Sequence, residues 1–493
     1  MPIWPRRVYL DNNATTPVAP EVRRAMAECL KKNFGNPSSL HITGRTARGA
    51  VEQARIKVAA LLGCEPDRLT FTSGGTEANN TVIKGVFAAA GGRGHIVTSK
   101  IEHDSTLGAC KQVEERGGRV TYLAAQSDGR VRPEDVKAAI TPDTLLISLM
   151  HANNETGAVQ PVAEFAEAAR EAGVPFHTDA VQSYGKIGTP VDEIGCEFLS
   201  LSAHKINGPK GVGALYWRGN TPWTPQNFGG DQELGLRGGT EGVHQIVGLG
   251  TAAELAAGRM QPEFDRQREL RKRLVDGVRR LYPKVEFNEA GEPHQLPGTV
   301  SATFPGMSGL SLLAGLDCYE VCVSIGSACT ADRIEPSHVI LGMGKDEAYA
   351  LSTIRISMGT TTTPSDVKYF LWALSKALRG EPEGLAYMPP EHLTRERILS
   401  DDTFLIDLRM RYERLLSPAI PGAKLWSPIG FEKHLGEIPR NREVILMCGT
   451  GIYSFKAGYQ LANAGHPRVR VVYGGYAAWR ALYPELLGEL LRG

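Results

Sequence analysis

Lys205, in Ser202-Ala203-His204-Lys205, and Asp179, in His177-Thr178-Asp179-Ala180-Val181-Gln182, are the residue types that pyridine-aldehyde chemistry requires. A lysine amine condenses with an aldehyde, and a carboxylate holds a proton on a pyridine nitrogen so that the ring accepts electrons. The pair suits pyridoxal 5'-phosphate. Gln182, one helical turn beyond Asp179, is spaced to reach the phenolic oxygen of such a ring, and Ser202 and His204 its phosphate. Ser73-Gly74-Gly75-Thr76 joins a strand-like run to a helical one, so its backbone N–H groups offer an anion cradle that glycine opens to close approach. His103 follows another strand-like run, where an imidazole could stack over the ring and move protons near neutral pH. Taken singly, each has an ordinary reading as a strand-end Asp, a surface Lys or a solvated loop His.

Two further residues carry chemistry. Arg355, in Thr353-Ile354-Arg355-Ile356-Ser357, is flanked by apolar residues, and a buried guanidinium there wants a carboxylate. That partner is either a substrate or a structural ion pair. Cys329, in Gly326-Ser327-Ala328-Cys329-Thr330, sits on a Gly/Ser-rich segment, which predicts exposure. Cys318 and Cys322, in an apolar run, read as packing.

The elements that must position these residues alternate from about residue 16 to 250. The spacing predicts a helix over 20–33 and another over about 78–90. Strands are expected at 69–72, 95–98, 120–123, 145–150, 174–177, 198–202 and 213–217. Such alternation implies an α/β fold with a mostly parallel sheet and its sites at the strand ends. Residues 262–281 read as a long charged helix leaving this domain for a smaller α+β domain. A Pro/Gly-rich break follows at Gly380–Gly384 and Pro389-Pro390, which predicts a linker at 386–393. The remaining 394–493 would form a compact α/β module. The expected division is thus 1–385 (a large domain at 16–261, a small one from 1–15 and 262–385), the linker, and the module.

The bulk properties exclude several classes. A formal net charge of +1 over 493 residues gives no electrostatic reason for nucleic-acid binding. The eight cysteines form no paired CxxC sets, which argues against a disulfide framework or a zinc site and for a reducing compartment. No run of about eighteen apolar residues suggests a membrane span. A cytoplasmic protein without metal is expected.

Residues 8–380 resemble the cysteine desulfurases of the class V aminotransferase fold (PLP-dependent fold type I), in the branch with a long, mobile cysteine loop. The resemblance rests on Tyr9–Pro17, Phe34–Ser39, Thr72–Glu77, Glu102-His103, His151–Gly157, Asp179–Gln182, Ser202–Lys205, Gly326–Thr330 and Arg355. It implies that L-cysteine yields L-alanine while its sulfur remains as a persulfide on Cys329. It further implies that His103 stacks on the ring, and that Gly75, Thr76, Ser202 and His204 hold the phosphate. Arg355, Asn154 and Asn36 would orient the substrate, and Thr240 would reach the partner subunit's phosphate in a homodimer.

The C-terminal module resembles a rhodanese-like sulfurtransferase, through Asp407-Leu408-Arg409, Ile420–Ala423, Cys448–Ser454 and Tyr473–Trp479. In such a loop, N–H groups and a helix dipole aimed at Cys448 would lower its pKa and stabilise a persulfide. The family's loop commonly carries arginine where this chain has Gly449 or Tyr453. That departure points away from thiosulfate and toward a neutral or protein-borne donor. An exposed Cys448 that receives sulfur from Cys329 is the leading expectation. The alternatives are a module that only docks partners, and a PLP transaminase or lyase in which Cys329 is incidental. Selenocysteine as substrate, and a scaffold protein, carrier protein or small thiol as acceptor, all remain compatible.

Overall fold

The structure is a computed structural model that describes residues 7–326, 335–379, 382–449 and 451–488. A seven-stranded sheet organises the first part. Its spatial order is Leu69–Thr72, Gly213–Trp217, Phe198–Ser202, Phe176–Asp179, Thr144–Ser148, His95–Ser99 and Arg119–Leu123. Every neighbouring pair is parallel except the two made by Gly213–Trp217. The central strands are buried along their whole length, as a sheet covered on both faces demands. Asp179 and Ser202 therefore end adjacent parallel strands, and Lys205 lies in the 3-10 turn directly after Ser202.

One 39-residue helix, Val243–Leu281, links this sheet to the small domain, so the helix expected to start at 262 starts nineteen residues earlier. Its first half, including Ile246, Leu249 and Ala253, packs in the core of the large domain. Its second half, including Leu270, Leu274 and Val278, packs in that of the small domain. Pro262 lies inside the helix between the two halves. A proline there reads as a helix start in sequence, because N1 is where proline is normally tolerated. The small domain carries the antiparallel strands Thr353–Ser357, Thr299–Thr303 and Glu286–Phe287. The N-terminal Val8–Tyr9 joins it by pairing with Val321–Cys322.

The C-terminal sheet is parallel throughout, in the order Leu385–Met388, Val469–Val472, Glu443–Met447, Thr403–Asp407 and Lys424–Leu425. Leu385–Met388 occupies the sequence expected to be linker, and Leu393 is fully buried. The expected 386–393 linker is therefore corrected to part of the module. Prolines just beyond an edge strand mimic a linker's composition. Alternation along Glu443–Met447 sends Val444 and Leu446 to one face and Ile445 and Met447 to the other. The first of those faces also holds Leu310 and Ala314 of the small-domain helix Gly309–Cys318, so module and small domain share a core.

Candidate active site

Gly75, Thr76, His103, Asn154, Asp179, Gln182, Ser202, His204 and Lys205 line one cavity of about 230 Å³. Elements distant in sequence bring these residues together: two strand ends, the turn after the second, and the starts of helices Gly75–Ala89 and Asp104–Glu115.

Asp179 is buried and held from both sides. Its Oδ2 accepts from Asn79 Nδ2 at 2.7 Å and its Oδ1 from the Val181 N–H at 2.9 Å. The same Asn79 amide donates to Ser105 Oγ at 2.9 Å. His103 Nδ1 accepts from the Ser105 N–H at 3.1 Å and lies 2.8 Å from the Ser105 hydroxyl. With Nδ1 committed as acceptor, the neutral ring carries its proton on Nε2. Asn79 and Ser105 form a polar link between carboxylate and imidazole, and both line the cavity.

Lys205 Nζ donates to the carbonyls of Asn13 at 2.5 Å and Ala14 at 3.0 Å. Desolvation, reinforced by the Arg355 charge, brings its pKa down to about 8, although Asp179 and Asp11 pull the other way. A lysine so lowered reaches its nucleophilic, neutral form far more readily than a surface lysine. His204 is pushed down to about 4, chiefly by desolvation and then by Lys205, so it serves as a neutral hydrogen-bonding group. The anion cradle depends on missing side chains. A Cβ on Gly75 would meet Val181 Cγ2 at 2.5 Å, and one on Gly213 would press on the Gly74 backbone at 2.8 Å. Helix Gly75–Ala89 therefore presents its N-terminus to the cavity beside Ser202, which suits a phosphate.

Arg355 is buried and makes the structural ion pair: Nη2 meets Asp11 Oδ1 at 2.8 Å, and Nη1 donates to the Asn154 carbonyl at 3.1 Å. Its buried Nε has no partner among the described residues. Asn36 lies elsewhere. It is exposed, and its Oδ1 accepts from the Ser38 N–H at 2.9 Å. Thr240 lines a separate cavity with Ser73 and Arg237. Cys329 lies outside the described residues.

In the C-terminal module, Cys448 directly follows the strand Glu443–Met447 and precedes helix Ile452–Asn463. Its Sγ accepts from the Gly451 N–H at 3.1 Å and from Ser454 Oγ at 3.5 Å. The loop thus points donors at sulfur as expected. The expected exposure and lowered pKa, however, are corrected. Cys448 is 1% exposed, and burial pushes its thiol up by more than those donors bring it down. The Gly475 backbone packs tightly on this segment, since a Cβ there would lie 2.3 Å from the Cys448 carbonyl oxygen. A Cβ on Gly449 would lie 2.4 Å from Glu413 Oε1, so a carboxylate flanks the loop position where arginine was the comparison.

Residues 8–370 match the Aminotransferase class-V family, and the chain belongs to it. Pyridoxal phosphate is the cofactor of that family, and the carboxylate, the lowered lysine and the phosphate cradle fit it. Residues 392–482 match the Rhodanese-like domain. More particularly, the chain is 46% identical over 374 residues to a protein named cysteine desulfurase IscS from Dictyoglomus turgidum, covering 76% of this chain and 95% of that one. A second cysteine desulfurase IscS, from Methanosarcina thermophila, is 44% identical over 364 residues, covering 73% and 89%. Among solved structures, a NifS-like protein superposes with a TM-score of 0.71 at 36% identity, covering 76% of this chain and all of that one. A structure described as SspA in complex with cysteine gives 0.64 at 38% identity, covering 72% and 99%.

Proposed function

We propose that this chain is a PLP-dependent cysteine desulfurase that converts L-cysteine to L-alanine, stores the sulfur on Cys329 and passes it to Cys448. The observation that carries this reading is the convergence of nine sequence-selected residues on one cavity around Lys205. The bound cofactor supplies an electron sink for the substrate α-carbon. Asp179 keeps the ring-nitrogen proton in place, and His103 accepts or returns protons above the ring. Arg355 and Asn154 orient the substrate carboxylate. The Cys329 thiolate attacks the substrate sulfur, so an S–S bond forms as the C–S bond breaks. The electron pair returns to carbon, where a proton completes alanine. Cys448 thiolate then attacks the outer sulfur of the Cys329 persulfide, which regenerates the Cys329 thiolate. Thr240, which lines its own cavity, reaches a partner subunit's phosphate in a cytoplasmic homodimer.

Burial of Cys448 favours a second reading, in which the module docks an acceptor and carries no sulfur. Peptide mass spectrometry of the holoenzyme after L-cysteine, with alanine measured on the same sample, separates the two. Added sulfur on the Cys329 and Cys448 peptides supports the relay, and Cys448→Ala should then abolish only the second while alanine formation stays within about twofold. Sulfur on Cys329 alone supports docking.

A further inference from the structure

The cofactor cavity has a neighbour. A second cavity lies where the large domain, the long helix and the small domain meet, lined by Lys186, Asn207, Arg259, Glu263, Gln267 and Thr360 among others, and Lys205 borders both. The Gln182 amide lines the first, and Lys186 the second. Between them, Lys186 Nζ donates to Gln182 Oε1 at 2.9 Å, while Gln182 Nε2 donates to the Asn13 carbonyl at 2.9 Å. A carbonyl only accepts, so the Asn13 contact fixes which end of the amide is nitrogen, and the oxygen must face Lys186.

We propose that Lys186 is a positioning residue, holding the Gln182 side-chain oxygen so that the amide's second N–H faces the phenolic oxygen of bound pyridoxal phosphate. That N–H is left over once Asn13 has taken the first, and Gln182 lies in the cavity wall. The proposal rests on the cofactor occupying that cavity, and not on the fate of the sulfur. Lys186 has no carboxylate within ion-pair distance among the described residues, and its one described side-chain hydrogen bond is to Gln182. Desolvation, with the charges of Lys205 and Arg355, brings its pKa down to about 7. Placing an ammonium beside two other cations opposes folding, as expected of a group retained for its site. Deprotonation does not break the arrangement, because a neutral amine still donates to the amide oxygen.

Without Lys186 the Asn13 carbonyl alone holds the amide, the second N–H loses its fixed aim at the phenolic oxygen, and the phenolate becomes more basic. The test is a pH titration of the absorbance of the lysine-bound cofactor in the holoenzyme. Lys186→Met should raise the midpoint by about 1–2 pH units, the scale of one lost hydrogen bond to a charged group. Lys186→Gln retains a donor and should stay within about 0.2 unit of the wild type. In a Gln182→Ala background, Lys186→Met should add no further shift. An equal rise in both backgrounds would mean that the charge acts through space and would overturn the proposal. So would no rise in Lys186→Met, or an equal rise in Lys186→Gln. A wild-type protein with no cofactor absorbance at all would fail the cavity assignment, and the proposal with it.

Discussion

The two candidate reactive centres of this chain are prepared in opposite ways. Lys205 sits among carbonyl acceptors with two carboxylates in range, and its amine is brought down to about 8. Cys448 sits among N–H and hydroxyl donors, yet burial leaves its thiol above the ordinary value. In both, desolvation disfavours the charged form, but that form is the resting state of a lysine and the reactive state of a cysteine. The same burial therefore activates one centre and silences the other. A buried nucleophile needs an opening motion or an arriving partner, whereas the cavity around Lys205 already stands formed.

The largest test of that contrast is Lys205→Ala. Alanine formation from L-cysteine should fall by about a thousandfold or more. The C-terminal module should keep its fold, because its core is built from other residues. Alanine assays paired with two-probe unfolding would check this. Residual turnover near the wild-type rate would mean that the cavity is not the reaction centre.

Much of this site was legible from one sequence because strand ends punctuate it. Asp179, Ser202 and Lys205 fall within 27 positions of one another, and adjacent parallel strands then must bring them together. Asn79 and Ser105 were not legible. Each sits inside an amphipathic helix with nothing to mark it, and Asn79 meets Asp179 across 100 residues of sequence. Lys186 is equally silent, four residues past Gln182 in a stretch that reads as surface. Exposure at Cys448 was misread for a different reason. Loop composition reports backbone freedom, but burial of Cys448 comes from tertiary contacts distant in sequence, such as Gly475 and Tyr476, whose N–H donates to the Cys448 carbonyl at 2.8 Å. The orphan Nε of Arg355 and its Asp11 partner likewise emerge only once Thr353–Ser357 is packed against the N-terminal segment.

A middle-sized effect follows from the lysines. The folded values of Lys186 (about 7) and Lys205 (about 8) both lie below their ordinary 10.5. Between the folded and unfolded values the unfolded chain holds more protons, so stability of the cofactor-free protein rises with pH from about 7 toward 10.5. Below that window both ammonium groups are charged and oppose folding. Lys186→Met should remove its share of the rise, so the urea midpoints of variant and wild type should converge as pH increases. Parallel curves across the window would mean that Lys186 is not held in the desolvated setting described above.

The smallest effect tests how the two parts of the chain are joined. Helix Ile452–Asn463, which starts at the Cys448 loop, lies on helix Gly309–Cys318, which precedes the Cys329 segment. Lys456 Nζ spans the junction, 2.9 Å from Asp317 and 3.5 Å from Glu320, and Phe455 packs on Tyr387, whose hydroxyl lies 2.6 Å from Ser311 Oγ. The lysine is 28% exposed, so solvent screens these pairs, and Lys456→Ala should destabilise the protein by only about 0.5–1 kcal/mol. Calorimetry at low and high salt checks this, because the difference should shrink as salt rises while alanine formation stays unchanged. A loss several times larger and indifferent to salt would show that the shared apolar face around Leu310 and Ala314 depends on Lys456 for its packing. The junction would then be part of the fold of both centres, and a change at one could not be made without disturbing the other.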